Sequence, residues 1–239
     1  AETADTVRNS AQFGVNATLD GVDMAKVNAY QERVVNGLYR GLKGLVKARG
    51  VKYVSGWGKL VSADTVEVTG QRYTGRHIVL ATGSRPRTLP GLTIEGKIIT
   101  SDEALTLDYV PSSVIVLGGG VIGAEFASLW RSFGAEVTLV EAMPHLLPAE
   151  DEAISRAFER GLRRRKIVFT TGDPFASASQ SETGVGVTLA SGKQLAADLL
   201  LVAVGRVPVT EHLGYLEAGI KLENGFIHTD QRLHTGIDN

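Results

Sequence analysis

Cysteine is absent from all 239 residues, which excludes disulfides, zinc–thiolate and iron–sulfur sites, and any thiol catalysis by the chain itself. No charge sign dominates: 25 Lys and Arg stand against 26 Asp and Glu, so a formal charge of −1 creates no global field to gather nucleic acid or anionic lipid. No apolar run approaches the roughly 18 to 20 residues that a membrane span needs, and no basic segment leads into an apolar one near Ala1. A soluble, cytoplasmic chain is the expectation, without a nucleic-acid or membrane partner. His77, His145, His212, His228 and His234 show neither HxxxH nor HExxH spacing, so no metal site is expected. GxSxG, Walker A and EF-hand patterns are missing too, which leaves hydrolase, ATPase and calcium-binding functions without a residue to rest on.

What is present suits one or two globular domains, since 43% hydrophobic residues supply a sizeable core. Val22 to Ala48 carries Met24, Val27, Val34, Val35, Leu38, Leu42 and Leu45 at helical spacing and predicts one long amphipathic helix closed at Gly50. Gly37, Gly41 and Gly44 each cost that helix about 1 kcal/mol relative to Ala, and close packing against a neighbour is the expected compensation. From Val51 the pattern changes to short runs ("VKYVSG", "TVEV", "QRYTG"), an antiparallel meander feeding a buried strand at Ile78 to Ala81. Ser101 to Leu107 reads as a short helix capped by Ser101, and a domain boundary is expected between Asp108 and Pro111.

Beyond that boundary strand and helix alternate: "SSVIVL", "VIGAEFASLWRSFG", "AEVTLVE", "DEAISRAFERGLRRRK" and "IVFTTG". The alternation predicts an α/β, doubly wound, Rossmann-like parallel sheet. After Asp173 short alternating strands return and end in the buried run "LLLVAVG". Arg163, Arg164, Arg165 and Lys166 fall at the end of the second helix, where cations offset its dipole, rather than marking a nucleic-acid site.

Gly118, Gly120 and Gly123 form GxGxxG, and 28 glycines in 239 residues alone would give about 0.4 such matches by chance. Context adds the weight. A buried strand, Val114 to Leu117, runs straight into the glycines and a helix follows at once, so peptide N–H groups converge where a pyrophosphate binds. Gly118 suits a tight turn, Gly120 a close approach of backbone to phosphate, and Gly123, with Ala127 one turn on, close helix–strand packing. Glu141 ends the second strand 23 positions after Gly118, where a carboxylate takes the two adenosine ribose hydroxyls. A 2′-phosphate beside it would be repelled by a few kcal/mol, and no Arg or Lys follows in "EAMPHLLP", so NAD is favoured over NADP.

These residues, with "LATGSRPRTLPG" (Leu80 to Gly91), "ITSDEAL" (Ile99 to Leu105), "LLPAED" (Leu146 to Asp151) and "LLLVAVGRVP" (Leu199 to Pro208), resemble the pyridine nucleotide-disulfide oxidoreductase family, and within it the dihydrolipoamide dehydrogenases. The resemblance implies an NAD site lined by Gly118, Gly119, Gly120, Val121, Ile122, Gly123, Ala124 and Glu125, with Glu141 on the ribose and Gly205 alongside. It implies FAD contacts from Gly58, Thr82, Gly83 and Ser84, and a place for Glu125 near the flavin–nicotinamide junction. The segment "TTGDPFASA" departs from the family pattern and puts Phe175 beside the adenine. Arg206 is expected either to reach a pyrophosphate or to cap neighbouring carbonyls, with the structural role favoured.

The implied domains are a partial FAD-binding domain over 1–107, an NAD-binding domain over 108–228, and the start of a return into the FAD domain over 229–239. Family members run to about twice this length, so the chain resembles an internal portion, inactive alone because the cysteine pair and half the flavin cradle lie outside it. The intact enzyme would be a homodimer that reoxidises the lipoyl groups of the acyltransferase in 2-oxo-acid dehydrogenase complexes and passes electrons through FAD to NAD. Two alternatives stay open. One is another flavin disulfide reductase, such as a glutathione or mercuric reductase, or a soluble transhydrogenase. The other is a stand-alone, non-catalytic NAD-binding module, which would lack the exposed apolar surface near Ile78 to Ala81 expected of a portion.

Overall fold

The computed structural model describes residues 1–237. In chain order they form α1 (Glu2–Arg8), α2 (Met24–Ala48), β1 (Gly58–Ser62), β2 (Thr65–Val68), β3 (Gln71–Thr74), β4 (Ser84–Pro86), β5 (Ile98–Ile99) and α3 (Ser101–Ala104). Then come β6 (Ser113–Leu117), α4 (Val121–Phe133), β7 (Glu136–Glu141), α5 (Glu152–Arg164) and β8 (Val168–Thr171). The last elements are β9 (Phe175–Gln180), β10 (Val185–Leu189), β11 (Gln194–Ala197), β12 (Leu199–Val202), β13 (Arg206–Pro208), β14 (Leu222–Glu223) and β15 (Phe226–Ile227). No described helix is long and apolar enough to cross a membrane.

Contacts divide the chain into two compact units, 1–33 with 86–205, and 34–85 with 206–239. The cuts between these units fall at 33/34, 85/86 and 205/206. The end of the expected return segment, Asp238 and Asn239, lies outside the described residues.

The first unit is built on a five-stranded parallel sheet in the order β5-β12-β6-β7-β8. β12 and the Val114–Leu117 stretch of β6 are apolar at every position because both faces are covered. Val114, Val116, Val137, Leu139, Leu199 and Leu201 pack with Phe126, Ala127 and Trp130 of α4 and Leu162 of α5. Ile115, Leu117, Val140, Leu200 and Val202 point the other way, onto Val185, Val187 and Leu189 of β10. That second cover is the antiparallel sheet β11-β10-β9, so the unit has three layers: helices, parallel sheet and meander. Each fully buried aliphatic side chain contributes roughly 1.5–3 kcal/mol.

At the far end of α4, α1 docks through a polar network. Asp5 Oδ2 accepts from Ser132 Oγ at 2.7 Å and from Arg165 Nη2 at 3.0 Å, and Arg8 donates to the Ser132 carbonyl.

The second unit holds the meander β1-β2-β3 and a small core of Leu60, Leu213, Tyr215 and Ile220. Several expectations are corrected. Ile78 to Ala81 is neither a strand nor buried; Val79 is 86% exposed, because no neighbouring strand among the described residues pairs with this segment. "VKYVSG" is irregular as well. Among the described residues the α2 glycines find no packing neighbour: a side chain at Gly37, Gly41 or Gly44 would meet nothing within 4 Å, and no α2 residue is buried. The cap of α3 is Thr100, not Ser101; Thr100 Oγ1 accepts from Asp102 N, and Glu103 reaches back to Thr100 N at 2.8 Å in a capping box.

Candidate functional site

The crevice of the first unit opens where β6, β7 and β12 end. β6 runs into Gly118, whose φ of +108° only glycine adopts freely, and a side chain there would strike the Ala203 carbonyl. Two hydrogen bonds sew this turn to both neighbouring strands: Gly118 N donates to Val140 O at 2.8 Å, and Ala203 N to Leu117 O at 2.7 Å. One turn into α4, a side chain at Gly123 would collide with the Gly118 carbonyl, so the helix rests directly on the loop. Gly120 is different. It forms the N-cap of α4 without any side-chain cap, and a Cβ there would meet nothing within 4 Å. The chain needs the other two glycines for its own packing, whereas Gly120 leaves open space at the positive end of a thirteen-residue helix.

Glu141, the last residue of β7, is 8% exposed and both its oxygens are engaged. Oε2 accepts from Gly119 N at 2.7 Å and Oε1 from Met143 N at 2.8 Å. An ionised carboxylate offers about four lone-pair directions, so it can hold these amides and still accept from a ligand hydroxyl. Gly119 is the joint of this arrangement. A Cβ on it would lie 2.5 Å from Leu146 Cδ2 and 3.0 Å from Glu141 Cβ. The sequence placed Gly119 only on the wall of the site; the middle glycine of "GGG" was the available signal for the joint.

A cavity of about 530 Å³ occupies the crevice. Of the expected residues its lining contains Gly118, Gly120, Val121, Ile122, Glu141, Phe175 and Gly205. Leu89, Pro148, Pro174 and Val204 join them without having been foreseen. Gly123 and Ala124 are buried behind the wall, and Glu125 is exposed further along α4. Among the described residues, Glu141 is the only ionisable one in the lining, which is otherwise aliphatic, aromatic, proline and glycine.

The residues expected at a flavin belong to the other unit. Thr82 Oγ1 donates to Val209 O at 2.6 Å and accepts from the Tyr215 hydroxyl at 3.2 Å. Arg206 donates to both Ser84 Oγ and Ser84 O at 2.7 Å, which is the capping role favoured for it. Gly83 has φ +76° with open space beside it, and Gly58 pairs with Val68 in the β1–β2 ladder. Among the described residues no group of three or more His, Asp or Glu is placed to hold a metal ion.

A sequence model of the family described as pyridine nucleotide-disulphide oxidoreductase matches residues 3–239. The dihydrolipoyl dehydrogenase of Chlorobaculum parvum is 39% identical over 98% of this chain and 52% of its own length. The mitochondrial dihydrolipoyl dehydrogenase of Pisum sativum is 36% identical over 95% of this chain and 48% of its own. Among solved structures, the HOCl-induced flavoprotein disulfide reductase RclA of Escherichia coli superposes with a TM-score of 0.82 at 30% identity, over 100% of this chain and 54% of that one. LpdA of Mycobacterium tuberculosis shares the fold, with a TM-score of 0.89 at 24% identity over 99% of this chain and 53% of its own. The chain thus spans about half the length of the curated relatives it matches.

Proposed function

Since this chain belongs to the pyridine nucleotide-disulphide oxidoreductase family, we propose that it supplies the NAD-holding portion of a flavin-dependent dihydrolipoyl dehydrogenase. One observation carries the proposal: an open Gly120 at the uncapped start of α4 faces the same cavity as a carboxylate fixed at the end of β7. These residues fit the cofactor. The first-turn amides of α4, with Gly118 and Gly120, would hold the pyrophosphate; Glu141 would take the adenosine ribose; Phe175 would flank the adenine, and Gly205 would lie alongside. Gly119, Gly123 and Ala124 would shape the loop from behind, with Glu125 near the junction with the flavin. When bound, NAD supplies a hydride acceptor. The chain's own residues bind and orient it, and the apolar lining excludes water.

FAD contacts from Gly58, Thr82, Gly83 and Ser84 belong to the same proposal. The hydroxyls of Thr82 and Ser84 already have partners in the chain, so their exposed backbone would form one wall only. The sulfur of any thiol–disulfide step must come from outside these 239 residues. Exposed Val79 favours a portion of a larger flavoprotein over a stand-alone NAD module. A homodimer serving the lipoyl-bearing acyltransferase of a 2-oxo-acid dehydrogenase complex in the cytoplasm completes the reading. The RclA likeness favours a second one, a flavin disulfide reductase with a different substrate.

Calorimetry with NADH and NADPH tests the site. NADH is expected to bind about a hundredfold more tightly, since a phosphate beside a carboxylate costs a few kcal/mol. Equal or tighter NADPH binding overturns the role of Glu141. With lipoamide and added FAD, these 239 residues alone are expected to show no turnover, and appreciable activity would overturn the portion reading.

A further inference from the structure

In the loop that follows Glu141, a histidine faces two glutamates of α5. His145 Nε2 lies 3.3 Å from Glu152 Oε1 and its Nδ1 lies 3.8 Å from Glu159 Oε1. Glu159 is 8% exposed and also accepts from Leu146 N at 3.3 Å. Leu146, next to the histidine, is 0% exposed and fills the space against Gly119. Leu147 N then donates to Gly119 O at 2.8 Å, while Ser155 Oγ of α5 donates to Leu147 O at 3.2 Å. His145 therefore stands at one end of a short chain of contacts whose other end is the glycine loop of the cofactor crevice.

We propose that His145 is a positioning residue for the nucleotide site: as an imidazolium between Glu152 and Glu159 it locks residues 142–147 onto α5 and holds the Gly119 backbone in its binding conformation. The inference rests on the NAD reading above and adds a residue that touches no part of the crevice. The charged groups facing His145 are Glu152 and Glu159, backed by Arg156 at 2.5 Å from Glu152 Oε1 and Arg163 at 3.7 Å from Glu159 Oε2. The two arginines partly neutralise the glutamates, so the lock is modest and depends on the imidazole charge. At the end of β7, where the histidine's loop begins, Glu141 spends its oxygens on Gly119 and Met143. An ion pair with either glutamate needs the imidazolium form of the ring, so the lock depends on the charge carried at position 145.

Two measurements on the purified protein test this with His145→Gln, which carries no charge, and His145→Arg, which carries one at every pH. By calorimetry, NADH affinity of the unaltered protein is expected to fall about threefold to tenfold between about pH 5.5 and 8. His145→Gln is expected to show the weaker affinity with a flat profile, and His145→Arg the tighter affinity with a flat profile. By amide hydrogen exchange without nucleotide, residues 142–150 are expected to lose protection in His145→Gln at about pH 6 and to match the unaltered protein at about pH 8. Equal protection in both proteins at about pH 6 overturns the lock, whatever NADH does. A lock seen by exchange, with the same NADH profile in all three proteins, overturns the positioning role alone. Failure of the unaltered protein to bind NADH at any pH overturns the NAD reading and the positioning role with it.

Discussion

α4 and α2 both carry small residues along one face, and they use them in opposite ways. On α4, Gly123 and Ala127 bring the helix down onto β6 and the glycine loop, with no room for a Cβ at Gly123 and Ala127 wholly buried. On α2, Gly37, Gly41 and Gly44 face open space, and Leu38 beside them is 71% exposed. By periodicity alone the two helices read alike. The difference teaches that such a face records a demand for close contact without naming what meets it: for α4 it is the next strand, whereas for α2 it is nothing among the described residues.

Substitutions should separate the two faces, beginning with the largest effect. Gly123→Val pushes a branched side chain into a carbonyl that the sheet holds in place, and it should cost about 3 kcal/mol or more of stability and abolish NADH binding. Denaturant unfolding and calorimetry would show this, and a mild effect would mean that α4 can slide on β6. Helix starts give an intermediate contrast, because α4 opens uncapped whereas α3 is closed by its box. Thr100→Ala should therefore cost about 1 kcal/mol in thermal denaturation.

The hydrogen bonds from the Thr100 side chain, and then from its backbone, hold Glu103 below its ordinary value of 4.5. Because the folded value is the lower one, the Glu103 contribution is full above the ordinary value and is lost as pH falls through the folded value. Glu103→Gln should accordingly lower Tm at neutral pH, and the gap to the unaltered protein should narrow as pH falls below the ordinary value. Smallest of all, Gly41→Ala should stabilise α2 by about 0.5–1 kcal/mol, since alanine is the better helix former and meets nothing there. A loss of stability instead would reveal a neighbour for that face.

The parallel sheet, its helices and the carboxylate at the end of β7 were legible because each rests on local pattern: continuous apolar runs, 3.6-residue spacing, and glycines set between a strand and a helix. What escaped depends on distant partners. The α1 latch joins Asp5 to Ser132 and Arg165, residues 127 and 160 positions away, and no periodicity announces it. Ile78 to Ala81 has the composition of a buried strand but lacks a paired neighbour among the described residues, so composition outran structure. By residue type Ser101 is, if anything, the better cap than Thr100, and the reach of Glu103 back to Thr100 reverses that order. At the site, Gly118, Gly120 and Glu141 stood out as a set. Leu89 and Pro174 join the same cavity from loops whose sequence gave no sign that these two residues would line it.

The two amide bonds to Glu141 bear on attempts to retarget the coenzyme. Exchanging this acid for arginine, the obvious route toward a phosphorylated adenosine, would also unfasten Gly119 and Met143 and let the loop drift. A successful redesign must first install a substitute acceptor for those amides and only then introduce the cation, so the order of mutations matters as much as their identity.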